Sequence, residues 1–146
     1  MSYTFLRYHI VSSTKERRPF ITQDIRPRLC EYLGGIIRQS GGKAIEINRP
    51  EDHIHIVTSL PVTAAIADCL RDLKCNSSGW VHETFPSLKD FAWQDGYSAF
   101  SVSPSVLPQV VQYVQNQQEH HKKVSFGDEL VWLLNGHGIE FDGKYL

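Results

Sequence analysis

The chain has 146 residues, of which 41% are hydrophobic and 21% charged, as in a folded globular protein and unlike a disordered segment. No apolar run approaches the roughly 20 residues that a membrane-spanning helix needs, and no secretory signal precedes the first element, so we expect a cytoplasmic protein without a membrane segment. The net charge of −1 does not indicate the overall basic surface that is usual in nucleic-acid-binding proteins. The three cysteines form no CxxC pair, which excludes a zinc knuckle or a CxxC redox motif.

The first half of the chain alternates strand and helix patterns. Residues 4–12 are rich in aromatic and β-branched side chains, which predicts a strand. Residues 24–40 repeat apolar side chains at helical spacing and end before a Gly-Gly pair, which predicts a helix. Residues 43–48 and 53–60 read as two strands joined by a polar turn, so a hairpin is expected there.

The second half begins with a helix predicted from residue 61 to about residue 79, and a strand follows over 97–103. Helices are expected over 105–121 and 128–135. The resulting fold is α+β: a ferredoxin-like (RRM-like) antiparallel sheet with the order βαββαβ, followed by two added helices in a single domain of residues 1–146. Two helices would cover one face of this sheet, and the other face would be open unless the added helices cover it.

The strongest local signal is a pair of histidines in the third predicted strand. Because side chains alternate along a strand, His53 and His55 share one face, while Ile54 and Ile56 point to the opposite one. The two histidine Cα atoms are about 6.6 Å apart, two strand rises, so both imidazoles can reach one metal ion. Most His-x-His pairs are ordinary surface or hydrogen-bonded residues, and a metal site would need a further ligand from elsewhere.

A tyrosine lies at the border of the apolar stripe in the helix predicted over 105–121. Most single helical tyrosines are half-buried structural residues. Polar side chains share the helix face of Tyr113, however, because Gln117 follows one turn later and His120 lies a further turn along. This polar set favours a functional tyrosine.

These segments resemble the single-tyrosine HUH transposases of the insertion-sequence-200-like class, including the enzymes associated with repeated extragenic palindromes. The resemblance extends from about residue 8 to residue 145, and it is specific because several motifs occur in the right order. The matching segments are residues 8–11 with 15–19, residues 50–56, residues 73–74 with 77–78, residues 93–97 with 100–103, and residues 113–121.

The resemblance implies a role for each site residue. Tyr113 would be the catalytic nucleophile that forms a 5′-phosphotyrosine intermediate, and His53, His55 and Gln117 would bind a divalent metal, Mg²⁺ or Mn²⁺. The chain would then be a metal-dependent tyrosine DNA transposase, that is, a single-strand endonuclease and strand transferase. The family also implies a homodimer with shared active sites and a single-stranded DNA partner that often contains a hairpin.

Four basic residues are weaker candidates for binding DNA phosphates, namely Arg17, Arg18, Arg71 and Lys74. Trp80, Trp93 and Phe91 could stack on bases, although packing is the commoner role of each. Two features depart from the family: the net negative charge, and a C-terminal tail of about residues 125–146 that only a subset of the family shares.

Two other hypotheses stay open at this point. A non-catalytic single-stranded nucleic-acid-binding module would read bases with aromatic side chains on the open strands, where this sequence has histidines. An inactive transposase remnant would keep the fold and lose metal binding. Replication initiators and relaxases share the chemistry but are usually larger.

Overall fold

The computed structural model describes the backbone of all 146 residues and every side chain except those of Gln118 and Tyr145. The chain forms four strands and five α-helices, besides three short 3-10 helices. In chain order they are β1 (Arg7–Ser13), α1 (Arg26–Gln39), β2 (Lys43–Asn48), β3 (His53–Ser59), α2 (Ile66–Thr84), β4 (Ser98–Ser101), α3 (Leu107–Gln115), α4 (Gln117–His121) and α5 (Phe126–Gly136). Among the described residues, none of the helices combines the length and the apolar content that a membrane span requires.

The strands form one sheet in the order β2-β3-β1-β4, and all neighbours are antiparallel. This is the arrangement of a βαββαβ ferredoxin-like fold, so the predicted fold class is confirmed. The two central strands, β1 and β3, pair over their full lengths, with Val11 opposite His55 and Ile10 opposite Ile56. The register therefore places apolar side chains on one face of the centre and histidines on the other.

Helices α1 and α2 cover the apolar face of the sheet. Ile54 and Ile56 are fully buried there, together with Leu33 of α1 and with Leu70 and Leu73 of α2. Burial of this area supplies the main hydrophobic stabilisation of the fold.

The opposite face, predicted to be open unless the added helices covered it, is covered by the C-terminal part of the chain. Phe126, Leu130 and Leu133 of α5 pack against Val11 of β1 and Phe100 of β4 to form a second, smaller core. His53 and His55 consequently lie in the interior with no exposed surface, so of the two predicted possibilities the covered face is the one observed.

Several element boundaries differ from the prediction, among them the start of α2, which is Ile66 and not residue 61. Two of the differences have identifiable reasons. Strand β1 begins at Arg7 and not at residue 4, because its partner β3 ends opposite it at Ser59 and is followed by Pro61, which has no N–H to donate. Helix α2 continues past Gly79 because Trp80 stacks on Tyr32 of α1 and Val81 is fully buried. This packing outweighs the cost of about 1 kcal/mol for a glycine inside a helix.

The tyrosine helix is not continuous as predicted, since Asn116 interrupts it with φ −93° and ψ 15°. The Asn48 side chain of β2 donates hydrogen bonds to the carbonyls of Val114 (2.9 Å) and Gln115 (3.0 Å) and so satisfies the end of α3. The chain then turns into α4, which brings His121 over the histidines of β3.

Candidate metal and tyrosine site

The site is built around the histidine face of the central strands. His9 of β1 and His55 of β3 stack at 5.1 Å, and the Nε2 of His9 lies 2.8 Å from the Nδ1 of His55. His53 is held from the other side by Asp52, whose Oδ1 lies 2.7 Å from the His53 Nδ1. These contacts leave the Nε2 atoms of His53 and His55 directed at a common point.

A buried carboxylate from α5 occupies that point. The Oε1 of Glu129 lies 3.0 Å from the Nε2 of His55, 3.0 Å from the Nε2 of His121 and 3.3 Å from the Nε2 of His53. One donor atom from each of these four residues lies within 4.8 Å of the other three. A buried cluster of three imidazoles and one carboxylate can bind a metal ion.

The predicted nucleophile reaches the second oxygen of the same carboxylate. The Tyr113 hydroxyl donates a hydrogen bond to Glu129 Oε2, and the His120 Nε2 lies 3.3 Å from that oxygen. The Tyr113 ring also meets the His55 ring edge-on, with 5.9 Å between the centroids. Glu129 therefore links the tyrosine to the histidine cluster within a single chain.

Gln117, predicted as the third ligand, lies next to this cluster with no exposed surface. Its Nε2 donates to the backbone carbonyl of Tyr113 at 3.3 Å, whereas its Oε1 has no hydrogen-bond partner among the described residues. A buried carbonyl oxygen without a donor is costly, and a cation is one species that would satisfy it.

The histidines differ in the protonation state that their surroundings favour. Burial lowers the pKa of His9 to about 3 and that of His55 to about 4, so both are neutral at pH 7. Burial also acts to lower the pKa of His53, but hydrogen bonds to Asp52 and Glu129 outweigh it and raise that pKa. A neutral imidazole is the form that binds a metal.

The Glu129 carboxylate and the Tyr113 hydroxyl are shifted in opposite directions. Burial would raise the pKa of Glu129, but hydrogen bonds from His121, His53 and His55 outweigh it and hold this pKa far below its usual value. Burial and the hydrogen bond to Glu129 raise the pKa of Tyr113. These shifts favour an ionised carboxylate and a protonated tyrosine.

The four predicted basic residues are not brought together. The Arg17 guanidinium lies 5.2 Å from the centroid of the Phe126 ring, and that ring stacks on His53 at 4.2 Å. Arg18 lies over Phe20 instead. The other two are on α2, behind the apolar face of the sheet.

On that helix, Arg71 pairs with Asp68 at 3.2 Å and with Asp72 at 3.6 Å. The Lys74 Nζ donates hydrogen bonds to the backbone carbonyls of Gln94 and Gly96. These bonds connect α2 to the loop before β4. Of the four candidates, Arg17 therefore borders the histidine site.

The sequence reasoning did not identify Glu129 or His9 as site residues, and it did not single out His121. A signal for Glu129 was present, because it falls between Phe126 and Leu133 at helical spacing, where a charged residue interrupts an apolar stripe. His9 gave no such signal, because its proximity to His55 depends on the pairing of β1 with β3.

The family model described as "Transposase IS200 like" matches residues 2–117 of the chain. Among curated proteins, the chain is 26% identical over 119 residues to the ISDra2 transposase TnpA of Deinococcus radiodurans, covering 78% of this chain and 85% of that protein. It is also 26% identical over 122 residues to the transposase for insertion sequence element IS200 of Salmonella typhimurium, covering 80% of this chain and 79% of that protein.

Solved structures show the same similarity. A crystal structure assigned as a transposase from Deinococcus radiodurans R1 superposes with a TM-score of 0.66 at 25% identity, covering 80% of this chain and 95% of that one. A REP-associated tyrosine transposase bound to a REP hairpin superposes with a TM-score of 0.63 at 16% identity, covering 85% of this chain and 76% of that one. The second likeness supports the fold alone.

Proposed function

This chain belongs to the IS200-like transposase family, and from that premise we propose that it cleaves and rejoins single-stranded DNA, with Tyr113 as the nucleophile and a divalent cation in the adjacent cluster. The observation that carries the proposal is the position of Glu129, whose two oxygens face the histidines and the Tyr113 hydroxyl respectively. A tyrosine that contacts a potential metal ligand is placed for chemistry on a phosphodiester.

The donor set fits a divalent cation. His53, His55, His121 and Glu129 would hold it, and the unpartnered Oε1 of Gln117 supports the prediction of Gln117 as a further ligand. A cation bound there would polarise a phosphate and stabilise the negative charge that develops on it. Three imidazole nitrogens favour Mn²⁺ over Mg²⁺, because Mg²⁺ prefers sites made almost entirely of oxygen ligands.

In the proposed reaction, the Tyr113 oxygen attacks the phosphorus and the bond from phosphorus to the 3′ oxygen breaks. The proton that Tyr113 loses leaves along its hydrogen bond to Glu129 Oε2 and ends on the departing 3′ oxygen, which becomes a hydroxyl. The product is a 5′-phosphotyrosine. Attack by a 3′ hydroxyl on this intermediate restores a phosphodiester and frees Tyr113, so rejoining consumes no ATP.

Burial and the hydrogen bond to Glu129 raise the pKa of Tyr113, and Glu129, itself held by three histidines, accepts the tyrosine proton only as a hydrogen bond. A phenol needs help to ionise at neutral pH, since its ordinary pKa is about 10. In the proposed reaction His120 Nε2, 3.3 Å from the same Oε2, is a second group able to take part in the proton transfer.

For the substrate, we propose single-stranded DNA with a hairpin near the cleavage site, by analogy with the related transposase that was solved with a REP hairpin. Arg17 is the strongest phosphate-binding candidate because it borders the histidine site, and Arg18, Arg71 and Lys74 are weaker ones. The family resemblance predicts a homodimer with shared active sites, in which the tyrosine helix of one subunit can serve the histidines of the other.

The decisive assay mixes the protein with end-labelled single-stranded oligonucleotides from the DNA flanking its gene, in Mn²⁺, Mg²⁺ or EDTA, and resolves the products on a denaturing gel. We expect a metal-dependent protein–DNA adduct in the wild type and none with Tyr113→Phe. Tyr97→Phe is the matched control, because Tyr97 is an exposed tyrosine outside the cluster and its loss should leave the adduct intact.

An adduct that persists in Tyr113→Phe would contradict the proposal. Unchanged DNA binding without any adduct on any flanking strand would favour the non-catalytic binding module, and loss of both would favour an inactive remnant.

A further inference from the structure

A cleft of about 480 Å³ opens beside Tyr113, between α3 and α5. It begins where the histidine cluster ends, because the Tyr113 ring forms part of its wall while the Tyr113 hydroxyl contacts Glu129. Its other principal walls are Phe100, Val106, Val110, Trp132 and Leu133.

Two large apolar side chains in this cleft are exposed to solvent. Trp132 has 64% of its surface exposed and Val106 has 45%. The Trp132 ring lies 5.9 Å from the Tyr113 ring, tilted by 33°. An exposed tryptophan beside a proposed nucleophile has no role in the core, and clustered exposed apolar surface commonly marks a binding site.

The chemistry of the lining selects the kind of ligand. Among the described side chains that line the cleft there is no Asp, Glu, Lys or Arg. Its two histidines are already engaged, His9 with His55 at 2.8 Å and His137 with the Leu133 carbonyl at 2.7 Å, so the walls offer a phosphate or a cation no free charged partner. Apolar walls with an exposed indole suit a flat, neutral ring. The exposed amide of Gln109 at the cleft offers both a donor and an acceptor, the combination that can read the edge of a base.

We propose that this cleft binds one unstacked base of the single-stranded DNA, that of a nucleotide adjacent to the scissile phosphate, with Trp132 as the stacking surface. The inference rests on the proposed function, since it takes the phosphate to lie at Tyr113. Continuity with that site is the argument for this occupant, because the cleft shares the Tyr113 side chain with the site of the phosphate and so lies within reach of a neighbouring base.

Helix α5 carries both contacts to this nucleotide. Glu129 and Trp132 are three residues apart, so they lie on neighbouring positions of the same helical surface. One face of α5 therefore contacts the tyrosine hydroxyl and the cleft together, and binding of a base on Trp132 would fix the helix that holds Glu129.

The test measures equilibrium binding in EDTA, where cleavage does not occur, by fluorescence anisotropy. The probes are fluorescein-labelled single-stranded oligonucleotides from the flanking DNA, each with one abasic position. We expect one abasic position to weaken binding by the wild type about tenfold, the scale of one base stacked on an aromatic side chain. Trp132→Ala should weaken binding of the intact oligonucleotide to a similar extent. The affinity of this variant should then be the same for the intact probe and for the probe that lacks the base at that position.

Trp80→Ala is the matched control, since Trp80 packs on Tyr32 on the other side of the sheet and should bind like the wild type. Because Trp132 is mostly exposed, Trp132→Ala should fold, and Trp132→Phe should restore most of the binding.

Three results separate this inference from its alternatives. Equal affinity of Trp132→Ala and wild type for every probe would overturn it. A changed oligomeric state in Trp132→Ala, with DNA binding intact, would overturn it by assigning the cleft to a second copy of the chain. If the abasic position and Trp132→Ala each weaken binding but do not add to one another, and no covalent adduct forms in any assay, the base site would be supported and the proposed cleavage reaction contradicted.

Discussion

The two faces of the central sheet are equally buried and chemically opposite. Along β3, Ile54 and Ile56 face α1 and α2, while His53 and His55 face α4 and α5, and all four side chains have no exposed surface. The first face is built for stability, because its apolar side chains need no partners. The second encloses three imidazoles around a carboxylate, which costs desolvation energy that apolar residues of similar size would avoid.

The difference teaches that burial alone does not identify a core. On the histidine face the buried Oε1 of Gln117 has no hydrogen-bond partner among the described residues. Unsatisfied buried groups in a native fold call for an explanation, and a bound ion is one of the ordinary ones.

The largest effect should come from the apolar face. Ile54→Ala should lower the free energy of unfolding by about 2–5 kcal/mol, since it opens a cavity beneath two helices. Urea unfolding in EDTA and in Mn²⁺ measures this loss, which should be the same in both. A loss confined to one of the two conditions would show that the faces are not independent.

For the histidine face, we expect a stability that depends on metal binding. Mn²⁺ at about 100 times its Kd should stabilise the wild type by about 2.7 kcal/mol, and Glu129→Gln should remove most of this gain. Thermal unfolding with and without Mn²⁺ measures it. Glu119→Gln is the control, because Glu119 is an exposed carboxylate of α4 that pairs with Lys122. Equal stabilisation of both variants would exclude Glu129 as a ligand.

Removing the hydrogen bonds between β2 and the end of α3 should lower the stability by a smaller amount. Asn48→Ala removes two hydrogen bonds to the end of α3 and should cost about 1 kcal/mol of stability, with a lower yield of DNA adduct because Tyr113 is less well positioned. Asn76→Ala, at an exposed site on α2, controls for the loss of an asparagine. Normal adduct yield in Asn48→Ala would show that the break at Asn116 does not position Tyr113.

The smallest expected effect is a gain in stability from a substitution in α2, on the apolar side of the sheet. Gly79→Ala should stabilise the protein by about 0.5–1 kcal/mol, because Gly79 lies inside α2 and an added Cβ would meet nothing within 4 Å. Adduct formation should be unchanged. Gly41→Ala should instead destabilise the protein, since Gly41 has φ +88°. Lost adduct formation in a stabilised Gly79→Ala would mean that the apolar face also serves the reaction.

Local periodicity was sufficient to predict the sheet and the histidine pair. The alternation in β3 fixes which residues share a face, and the apolar spacing locates α1, so the βαββαβ fold was predicted correctly. Element ends were less accurate where tertiary packing decides them, as at Gly79, where α2 continues because Trp80 and Val81 are packed.

The rest of the site depends on contacts between distant residues. Glu129 lies 74 residues after His55, and the break that turns α4 toward the sheet depends on Asn48, 68 residues before Asn116. No local pattern encodes such distances. The roles of Tyr113, His53, His55 and Gln117 came from resemblance, and they stay predictions until the reaction is measured.

The most direct test of the account is to identify the residue that carries the DNA. The protein is incubated with a flanking single-stranded oligonucleotide and Mn²⁺, digested with protease and nuclease, and its peptides are sequenced by mass spectrometry. We predict a nucleotide joined through its 5′ phosphate to Tyr113, with none in EDTA. A nucleotide on Tyr97 or another side chain, or one joined to Tyr113 through its 3′ phosphate, would contradict the account.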